Sequence, residues 1–394
     1  MECGLLEISG TGKSRRRRAE EFRRENERLR DMLAYKDELQ RDWDRQRLYA
    51  GLPAQFIPIA MFGQGVTPLT LPGSATIRTW HVSTRGLQLT SSLLGSGSGT
   101  PPVCNYDAAI NESIPLRMDC LVGGARGDGI SKVGFTIDGG FSYFQQSFTA
   151  TFVSVPNIGR TLTMGTGTFV AGQQWVSPIA TCLNQAPVAA TLSGPATDSS
   201  KPVLDPLILN GFPGIRRTNG PLTDTTSTWA ADVASGTNKS FTWMVAYRLT
   251  TATPSAVGTI MAMNNNAQVG GQDPNFFLGV RNGTNLFRAA RTNDAGTATT
   301  RDGGALSTVA KVITLGLTGN NVSLWVNGVI QVNALSLGSG TDTLNNVSFF
   351  AQFKNSAATA SLAGWLFEAM TYTSFLSTGD RQANENYLLG KYGL

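Results

Sequence analysis

Histidine and cysteine are scarce in this sequence, and that scarcity excludes several kinds of catalytic and metal centre. The 394 residues include one histidine, His81, and four cysteines, none of them in a CxxC spacing. We therefore expect no zinc site, because such a site needs several of these ligands close together. A Ser-His-Asp triad would have to use His81, and no nucleophile-elbow sequence accompanies it. The cysteines are interpreted as free thiols of a chain assembled in a reducing cytoplasm.

The sequence has few charged residues and no long apolar runs, which argues against nucleic acids and membranes as partners. Only 15% of the residues are charged, and the net charge is +5. Acidic residues follow the longest basic run, residues 15–18, within two positions, so we predict no nucleic-acid binding. No apolar stretch approaches the ~20 residues that a membrane span needs. The first residues also lack the apolar core of a secretory signal, so we predict no membrane partner.

Glycine is abundant instead, with 44 residues, and threonine, serine and asparagine are frequent. This composition favours an all-β protein with many tight turns. The clearest strand pattern is KVITLGLTGNNVSLWVNGVIQV, residues 311–332, in which apolar residues alternate with polar or small ones. Turn signals at residues 319–321 (Gly-Asn-Asn) and 327–328 (Asn-Gly) divide it into three antiparallel strands. Such a meander needs a second sheet to bury its apolar face.

The same period-2 pattern recurs throughout the C-terminal half. We predict strands over residues 240–249, 258–263, 276–280, 285–291, 347–353 and 364–375, and polar loops over residues 264–275 and 292–304. Residues 377–392 begin with Ser-Thr and carry apolar residues at helical spacing, which predicts a short closing helix. About a dozen strands of this kind fit two packed sheets.

Residues 14–48 form the one long helical candidate. They are rich in Arg and Glu, lack Gly and Pro, and contain acid–Arg pairs four residues apart. An exposed helix of this length would be marginal alone, so we predict that it docks on a larger particle or forms a short coiled coil. Folding back onto its own chain is the alternative. The predicted docking residues are Arg15, Arg16, Arg17, Arg18, Phe22, Leu29, Leu39 and Trp43.

Composition divides the chain into four parts. We predict an N-terminal charged helix over residues 1–52, a β-rich middle domain over 53–190, a linker over 191–205 and a two-sheet sandwich over 206–394. The linker is predicted from its Pro, Ser and Gly content. The middle domain shows strand patterns, of which the clearest lies in residues 134–155, but they do not specify a named fold.

Four motifs of the C-terminal half resemble the concanavalin A-like lectin/glucanase sandwich in its laminin-G-like form. They are LNGFPG at 209–214, LWVNG at 324–328, the strand at 364–372 and the closing YLLGKYG at 387–393. Their order and spacing together carry the resemblance, which covers residues 200–394. It implies a two-sheet jelly-roll sandwich and a module that binds glycans or proteins.

The layout of the whole chain resembles a fibre or spike protein of tailed bacteriophages. That resemblance implies a virion protein, on the tail or the head, assembled in the host cytoplasm. Its partners would be other virion proteins (portal, adaptor, tail or capsid) and a host surface polysaccharide, and its homo-oligomer would be a trimer. A capsid decoration protein with a purely structural sandwich is the alternative function.

Glucanases of this superfamily carry paired carboxylates on one strand, so that both face the cleft. The matching strand here has Glu368, followed two positions later by apolar Met370, so the second carboxylate is missing. We therefore predict no enzymatic activity, and a polysaccharide depolymerase is only a further alternative. Glu368 is interpreted as a structural carboxylate bonded to neighbouring backbone.

The two polar loops flank one predicted hairpin, so they emerge at the same end of the sandwich, and we expect the turn at residues 327–328 to return there. Their amides and carboxylates suit sugar hydroxyls or a Ca²⁺ ion, and Ca²⁺ is the one cofactor that these side chains suggest. Ordinary polar loop residues are the alternative interpretation. The predicted glycan-binding residues are Asn264, Asn265, Asn266, Asp273, Asn275, Asn293, Asp294, Arg301 and Asp302. Trp229, Trp243 and Trp325 could stack on sugar rings, although core packing is their commoner role.

Overall fold

A computed structural model describes most of the C-terminal half and parts of the middle of the chain. The described residues are 77–82, 87–89, 94–95, 103–105, 117–125, 128, 130–136, 144–147, 152–155, 160–163, 167–176, 178–183, 191–196, 200–210, 212–217, 220–224, 229–234, 236–237, 239–254, 256–267, 269, 272–281, 283–354 and 357–394. The predicted N-terminal helix and all of its docking residues lie outside them, so docking stays a prediction. Among the described residues, no helix has both the length and the hydropathy needed to cross a membrane.

Short strands occupy the described residues between 77 and 193, which belong to the middle block and the start of the predicted linker. They are β1 (Ile77–Val82), β2 (Leu87–Leu89), β3 (Leu94–Gly95), β4 (Val103–Asn105), β5 (Arg117–Val122), β6 (Gly124–Ala125), β7 (Lys132–Thr136), β8 (Phe144–Ser147), β9 (Phe152–Val155), β10 (Arg160–Thr163), β11 (Thr168–Phe169), β12 (Gln174–Val176), β13 (Ile179–Leu183) and β14 (Thr191–Ser193). The expectation that this block is β-rich is confirmed.

Longer strands and two helices make up the rest. They are β15 (Val203–Leu209), β16 (Phe212–Arg216), β17 (Leu222–Asp224), α1 (Trp229–Ala234), β18 (Ser240–Leu249), β19 (Gly258–Asn264), β20 (Asn275–Val280), β21 (Leu286–Thr292), β22 (Ala298–Ala305), β23 (Lys311–Thr318), β24 (Asn321–Val326), β25 (Val329–Ser336), β26 (Asn346–Phe349), β27 (Gln352–Lys354), β28 (Ala357–Thr359), β29 (Gly364–Tyr372) and α2 (Thr378–Tyr392). The predicted meander is confirmed as β23, β24 and β25, which are neighbours in one sheet.

Two large sheets face each other as a sandwich, so the predicted fold class is confirmed. Sheet I has the strand order β15-β16-β29-β18-β23-β24-β25, and β1 also pairs with β29. Sheet II has the order β2-β13-β14-β17-β26-β19-β20-β21-β22. Neighbouring strands run antiparallel in both sheets. Both sheets thus include strands from the N-terminal side of the predicted boundary at residue 190.

The core lies between the two sheets, where the apolar faces of the alternating strands meet. Phe241 and Trp243 of β18 pack edge-to-face on Phe276 of β20, with ring centroids 5.0 and 5.5 Å apart. All three side chains are fully buried. Trp243 is therefore a core residue that no sugar ring can reach, and burial of large aromatic rings is a main source of the sandwich's stability.

Helix α2 covers the outer face of sheet I. Ser377 caps its N-terminus by accepting a hydrogen bond from the amide of Asp380 (3.1 Å), and Gly393 ends it in the left-handed region at φ 63°. Leu388 and Tyr392 of the helix pack with Met370 of β29 in a second apolar cluster. The helix therefore covers the part of this face that β18, β23 and β29 form.

Glu368 is a structural carboxylate that ties α2 to sheet I. It is fully buried and accepts hydrogen bonds from the Lys391 ammonium (2.6 Å), the Tyr392 hydroxyl (2.9 Å) and the Tyr387 hydroxyl (3.2 Å). These partners are helix side chains, whereas the sequence predicted bonds to neighbouring backbone. The structural role is confirmed, with these partners in place of the expected ones.

The predicted polar loop over residues 292–304 is wrong. Residues 298–305 form strand β22, which pairs along β21 from Thr292 opposite Ala298 to Leu286 opposite Ala305. Strand β22 is the edge of sheet II, and its sequence ATTRDGGA buries little apolar surface. An edge strand of this kind carries no apolar alternation that a sequence pattern could show.

The predicted linker over residues 191–205 is also partly strand. Strand β14 pairs with β13 and β17, and β15 begins at Val203. Leu192 and Leu204 are fully buried in the main core. The Pro/Ser-rich composition suggested an extended spacer, but these few apolar side chains bury enough surface to join the sheets.

Replacing Glu368 with Gln should destabilise the chain by about 3 kcal/mol, because the Lys391 ammonium would remain buried without its counter-charge. The double variant Glu368→Gln/Lys391→Met should recover a substantial part of that loss. Urea unfolding followed by tryptophan fluorescence measures both. Equal destabilisation by the single and double variants would contradict the assigned ion pair.

Candidate glycan-binding rim

Three loop segments, residues 265–274, 293–297 and 337–345, meet at one end of the sandwich through their described residues, and we call these segments the rim; residues 268, 270 and 271 lie outside the described part of the chain. The amide of Asp294 donates to the carbonyl of Thr341 (2.9 Å), which joins the second segment to the third. The amide of Asn345 donates to the carbonyl of Asn264 (2.9 Å), which joins the third to the start of the first. These backbone bonds join the described residues of the three segments to one another.

A buried cluster of three charges lies directly beneath the rim. The Arg291 Nε atom bonds both carboxylate oxygens of Asp342 (3.1 and 3.0 Å), and the Lys239 ammonium lies 2.8 Å from the same carboxylate. Arg291 is 2% exposed, and Lys239 and Asp342 are each 1% exposed. Arg291 belongs to β21 of sheet II, and Lys239 directly precedes β18 of sheet I. Asp342 therefore bridges the two sheets at this end.

Arg291 also fixes the path of the third rim segment. Its Nη1 atom donates to the carbonyl of Gly338 (2.6 Å) and its Nη2 atom to the carbonyl of Gly340 (2.5 Å). These glycines have φ angles of 77° and 112°, which favour glycine and turn both carbonyls toward the guanidinium. A Cβ atom at Gly340 would lie 2.6 Å from the Asn293 side chain. The segment thus follows a path that only glycine allows at this point.

The pKa shifts show what burial of this cluster costs. Burial raises the pKa of Asp342 above its ordinary value, although Lys239 and Arg291 both act to lower it. Burial likewise lowers the pKa of the Lys239 ammonium, against the opposing hydrogen bond to Asp342. Each charge therefore depends on its partners, and loss of one leaves the others buried and uncompensated.

Four of the predicted glycan-binding asparagines are buried and support the loops. Asn264 bonds Asn346 (3.2 Å) and Ser348 (3.0 Å) across sheet II. The other three bond the backbone: Asn265 to the carbonyl of Thr343, Asn275 to that of Asp273, and Asn293 to that of Ser339. For these residues the structure favours the alternative interpretation, in which they are ordinary loop scaffold.

The rim contains three further predicted residues, Asn266, Asp273 and Asp294, and all are half-buried. The Asp294 carboxylate accepts hydrogen bonds from the amide and the hydroxyl of Thr343 (2.7 and 2.9 Å), so it supports the loop. One carboxylate oxygen of Asp273, Oδ1, is buried without a hydrogen-bond partner. Because this oxygen is buried, a ligand at the surface of the rim does not reach it.

Arg301 and Asp302 lie outside the rim, on strand β22. Arg301 is opposite Ala289, the middle residue of β21. Asp302 pairs with Arg288 (2.7 Å) and with Arg281 (3.2 Å), which directly follows β20 at the opposite end of the sheet. They were grouped with the loops because β22 was predicted as loop.

The turn at residues 327–328 does not return to the rim either. The amide of Asn327 bonds the carbonyl of Val312, at the start of β23, far from the rim. The turn that reaches the rim is the preceding one, in which Asn320 accepts a hydrogen bond from Arg291 (3.1 Å).

The rim exposes side chains that the sequence did not single out. Gln272, Thr297, Ser339 and Thr341 are exposed, and all carry amide or hydroxyl groups. Such groups both donate and accept hydrogen bonds, as sugar hydroxyls do. Among the described residues, no three His, Cys, Asp or Glu side chains are grouped to hold a metal ion. The predicted Ca²⁺ ion stays a prediction.

The buried cluster was missed although part of its signal was present. Arg291 is in phase with Phe287 and Ala289, which face the main core, so an inward-pointing charge could have been inferred. Asp342 gives no such signal, because it lies in an irregular segment and meets Arg291 across 51 positions. A single sequence does not reveal a contact of that range.

Comparison with known proteins gives similarity at the level of solved structures alone. No protein-family model matches the chain. No curated protein matches it. The solved CBM40 of a Ruminococcus gnavus IT-sialidase is 17% identical with a TM-score of 0.32, covering 39% of this chain and 83% of that one. The same module bound to α2,6-sialyllactose is 16% identical with a TM-score of 0.33. That match covers 40% of this chain and 86% of that chain.

A solved structure titled for the cell entry of botulinum neurotoxin type C through two ganglioside molecules is also similar. It is 11% identical with a TM-score of 0.40, and the match covers 52% of this chain and 48% of that chain. The chain therefore spans about half the length of that neurotoxin chain. At these values the similarities carry no functional weight, and the sandwich assignment rests on the strands themselves.

Replacing Asp342 with Asn should destabilise the chain by about 3–5 kcal/mol, since Arg291 and Lys239 would remain buried without their carboxylate. Amide hydrogen exchange should accelerate in residues 293–297 and 337–345. The matched control is Asp302→Asn, which breaks a partly exposed Asp–Arg pair and should cost about 1 kcal/mol or less. Similar losses in the two variants would show that the rim does not depend on the buried cluster.

Proposed function

We propose that this chain is a virion protein of a tailed bacteriophage, a fibre or spike that binds host surface polysaccharide through its C-terminal sandwich. The observation that carries the binding proposal is the rim, a fixed surface of exposed hydroxyl and amide groups above a buried charge cluster. Fixed loops lose little conformational entropy when a ligand binds, which favours recognition of weakly binding polar ligands such as sugars. The remaining parts of the proposal rest on the layout of the sequence.

The proposed activity is binding without cleavage. Retaining and inverting glycosidases need two carboxylates on either side of the bond that breaks. Glu368 cannot supply one of them, because it is fully buried and bonded by Lys391, Tyr387 and Tyr392. At the rim, both oxygens of Asp294 are engaged by Thr343. These contacts favour a recognition module over a polysaccharide depolymerase.

The proposed virion role also gives a function to the N-terminal segment and to the oligomer. The charged N-terminal segment would dock on portal, adaptor, tail or capsid proteins, and the chain would form a trimer. Three copies would present three rims to a repetitive polysaccharide, so that avidity raises a weak affinity at each site. The protein would be assembled in the host cytoplasm and reside in the virion.

The double variant Gln272→Ala/Thr341→Ala should weaken binding to an immobilised host polysaccharide about tenfold, the effect expected when two exposed hydrogen-bonding side chains are removed. The control is Asn333→Ala, an exposed polar residue on β25 outside the rim, which should bind as the unmodified chain does. Surface plasmon resonance with purified host polysaccharide measures both. Unchanged binding by the rim variant would contradict the assigned surface.

Deletion of residues 1–52 should abolish incorporation into virions while leaving glycan binding per site unchanged. Light scattering of the intact chain should give a trimer. Particle purification followed by immunodetection measures incorporation. A monomeric chain whose N-terminal segment is dispensable for incorporation would contradict the virion role. Incorporation of the intact chain without binding to any glycan would indicate a capsid decoration protein.

A further inference from the structure

We infer that the rim selects uncharged glycans and discriminates against sugars that carry carboxylate, sulfate or phosphate groups. This inference rests on the proposed function and specifies its ligand class. It follows from the charged side chains at the surface of the rim and from those that are buried beneath it. The sequence of the three segments gives the first set, and the contacts under them give the second.

None of the three rim segments contains lysine or arginine. Residues 265–274 read NNAQVGGQDP, residues 293–297 read NDAGT and residues 337–345 read LGSGTDTLN. Each segment therefore contributes one acidic residue and no basic one. Proteins recognise carboxylate and phosphate groups chiefly through arginine and lysine, which these segments do not supply.

Two cations of the described residues lie under the rim, and neither is available to a ligand. Arg291 and Lys239 are buried beneath the rim, and both are bonded to Asp342. Arg291 uses its remaining donors on Asn320, Gly338 and Gly340. An acidic sugar could reach these cations only by breaking the cluster that holds the rim in place.

The carboxylates of the rim add to this discrimination. Asp273 and Asp294 are half-buried carboxylates at the rim, so an acidic sugar bound there would meet like charge. Exposed Gln272 and Thr341 add neutral hydrogen-bond donors and acceptors to the rim. The chemistry of the rim therefore matches neutral sugars, whose hydroxyls bond amide and hydroxyl groups.

The test uses the full chain on an array of neutral oligosaccharides printed beside the same oligosaccharides carrying sialic or uronic acid, with lactose and sialyllactose as one matched pair. Neutral members should bind about tenfold more tightly than their acidic counterparts. Raising the salt concentration to about 0.5 M should change the affinity for neutral members by less than about twofold, because no ion pair is involved.

A host polysaccharide that binds the full chain is then carboxyl-reduced, which converts its uronic acids to neutral hexoses. Its affinity for the full chain is measured again. Retained or improved affinity is expected. A loss of binding after reduction, or a preference for sialyllactose over lactose, would overturn the inference and leave the proposed function standing. Silence of the full chain on every neutral and acidic glycan would overturn the proposed function and this inference with it.

A charge-adding variant tests the same selectivity from within the protein. Thr341→Lys places an ammonium group on the rim, and Thr341→Gln adds a neutral side chain of similar reach as its control. The Lys variant should gain several-fold affinity for sialyllactose, whereas the Gln variant should not. Equal affinity of both variants for sialyllactose would show that the rim's charge does not set its selectivity.

Discussion

The ion pairs of Asp342 with Arg291 and Lys239 are the constraint on which this end of the sandwich depends. They join a strand of sheet II, the residue before a strand of sheet I and the irregular segment 337–345, which Leu337 and Leu344 also anchor in the main core. In a buried setting, such a cluster stabilises one arrangement strongly, because every alternative leaves a charge without a partner. The rim loops consequently acquire a fixed shape from side chains that never contact solvent, and any ligand meets a surface that is already arranged.

A second buried carboxylate has the same effect on the other side of sheet I. Glu368 holds helix α2 against the sheet through Lys391 and two tyrosine hydroxyls. The helix covers the part of that outer face that β18, β23 and β29 form. Glu368 thus attaches a helix to a sheet, and both buried carboxylate clusters have structural roles.

Strong local patterns in the sequence predicted the strands well, and long-range contacts limited the rest. Strand β18 and the meander β23–β25 were found because their apolar residues alternate without interruption. Strand β22 was missed because an edge strand of small polar residues shows no such alternation. The burial of Asn264 could not be foreseen, because its partners Asn346 and Ser348 lie more than 80 positions away. The rim was placed at the correct end of the hairpin, but most of the side chains named there proved to support its loops.

The most direct measurement is hydrogen-exchange footprinting of the full chain with and without a saturating oligosaccharide from the host surface. Protection on binding should be confined to residues 265–274, 293–297 and 337–345, with no change along helix α2. Protection on the outer face of sheet II or on the exposed edge strand β25, with the rim unaffected, would contradict the proposed binding site.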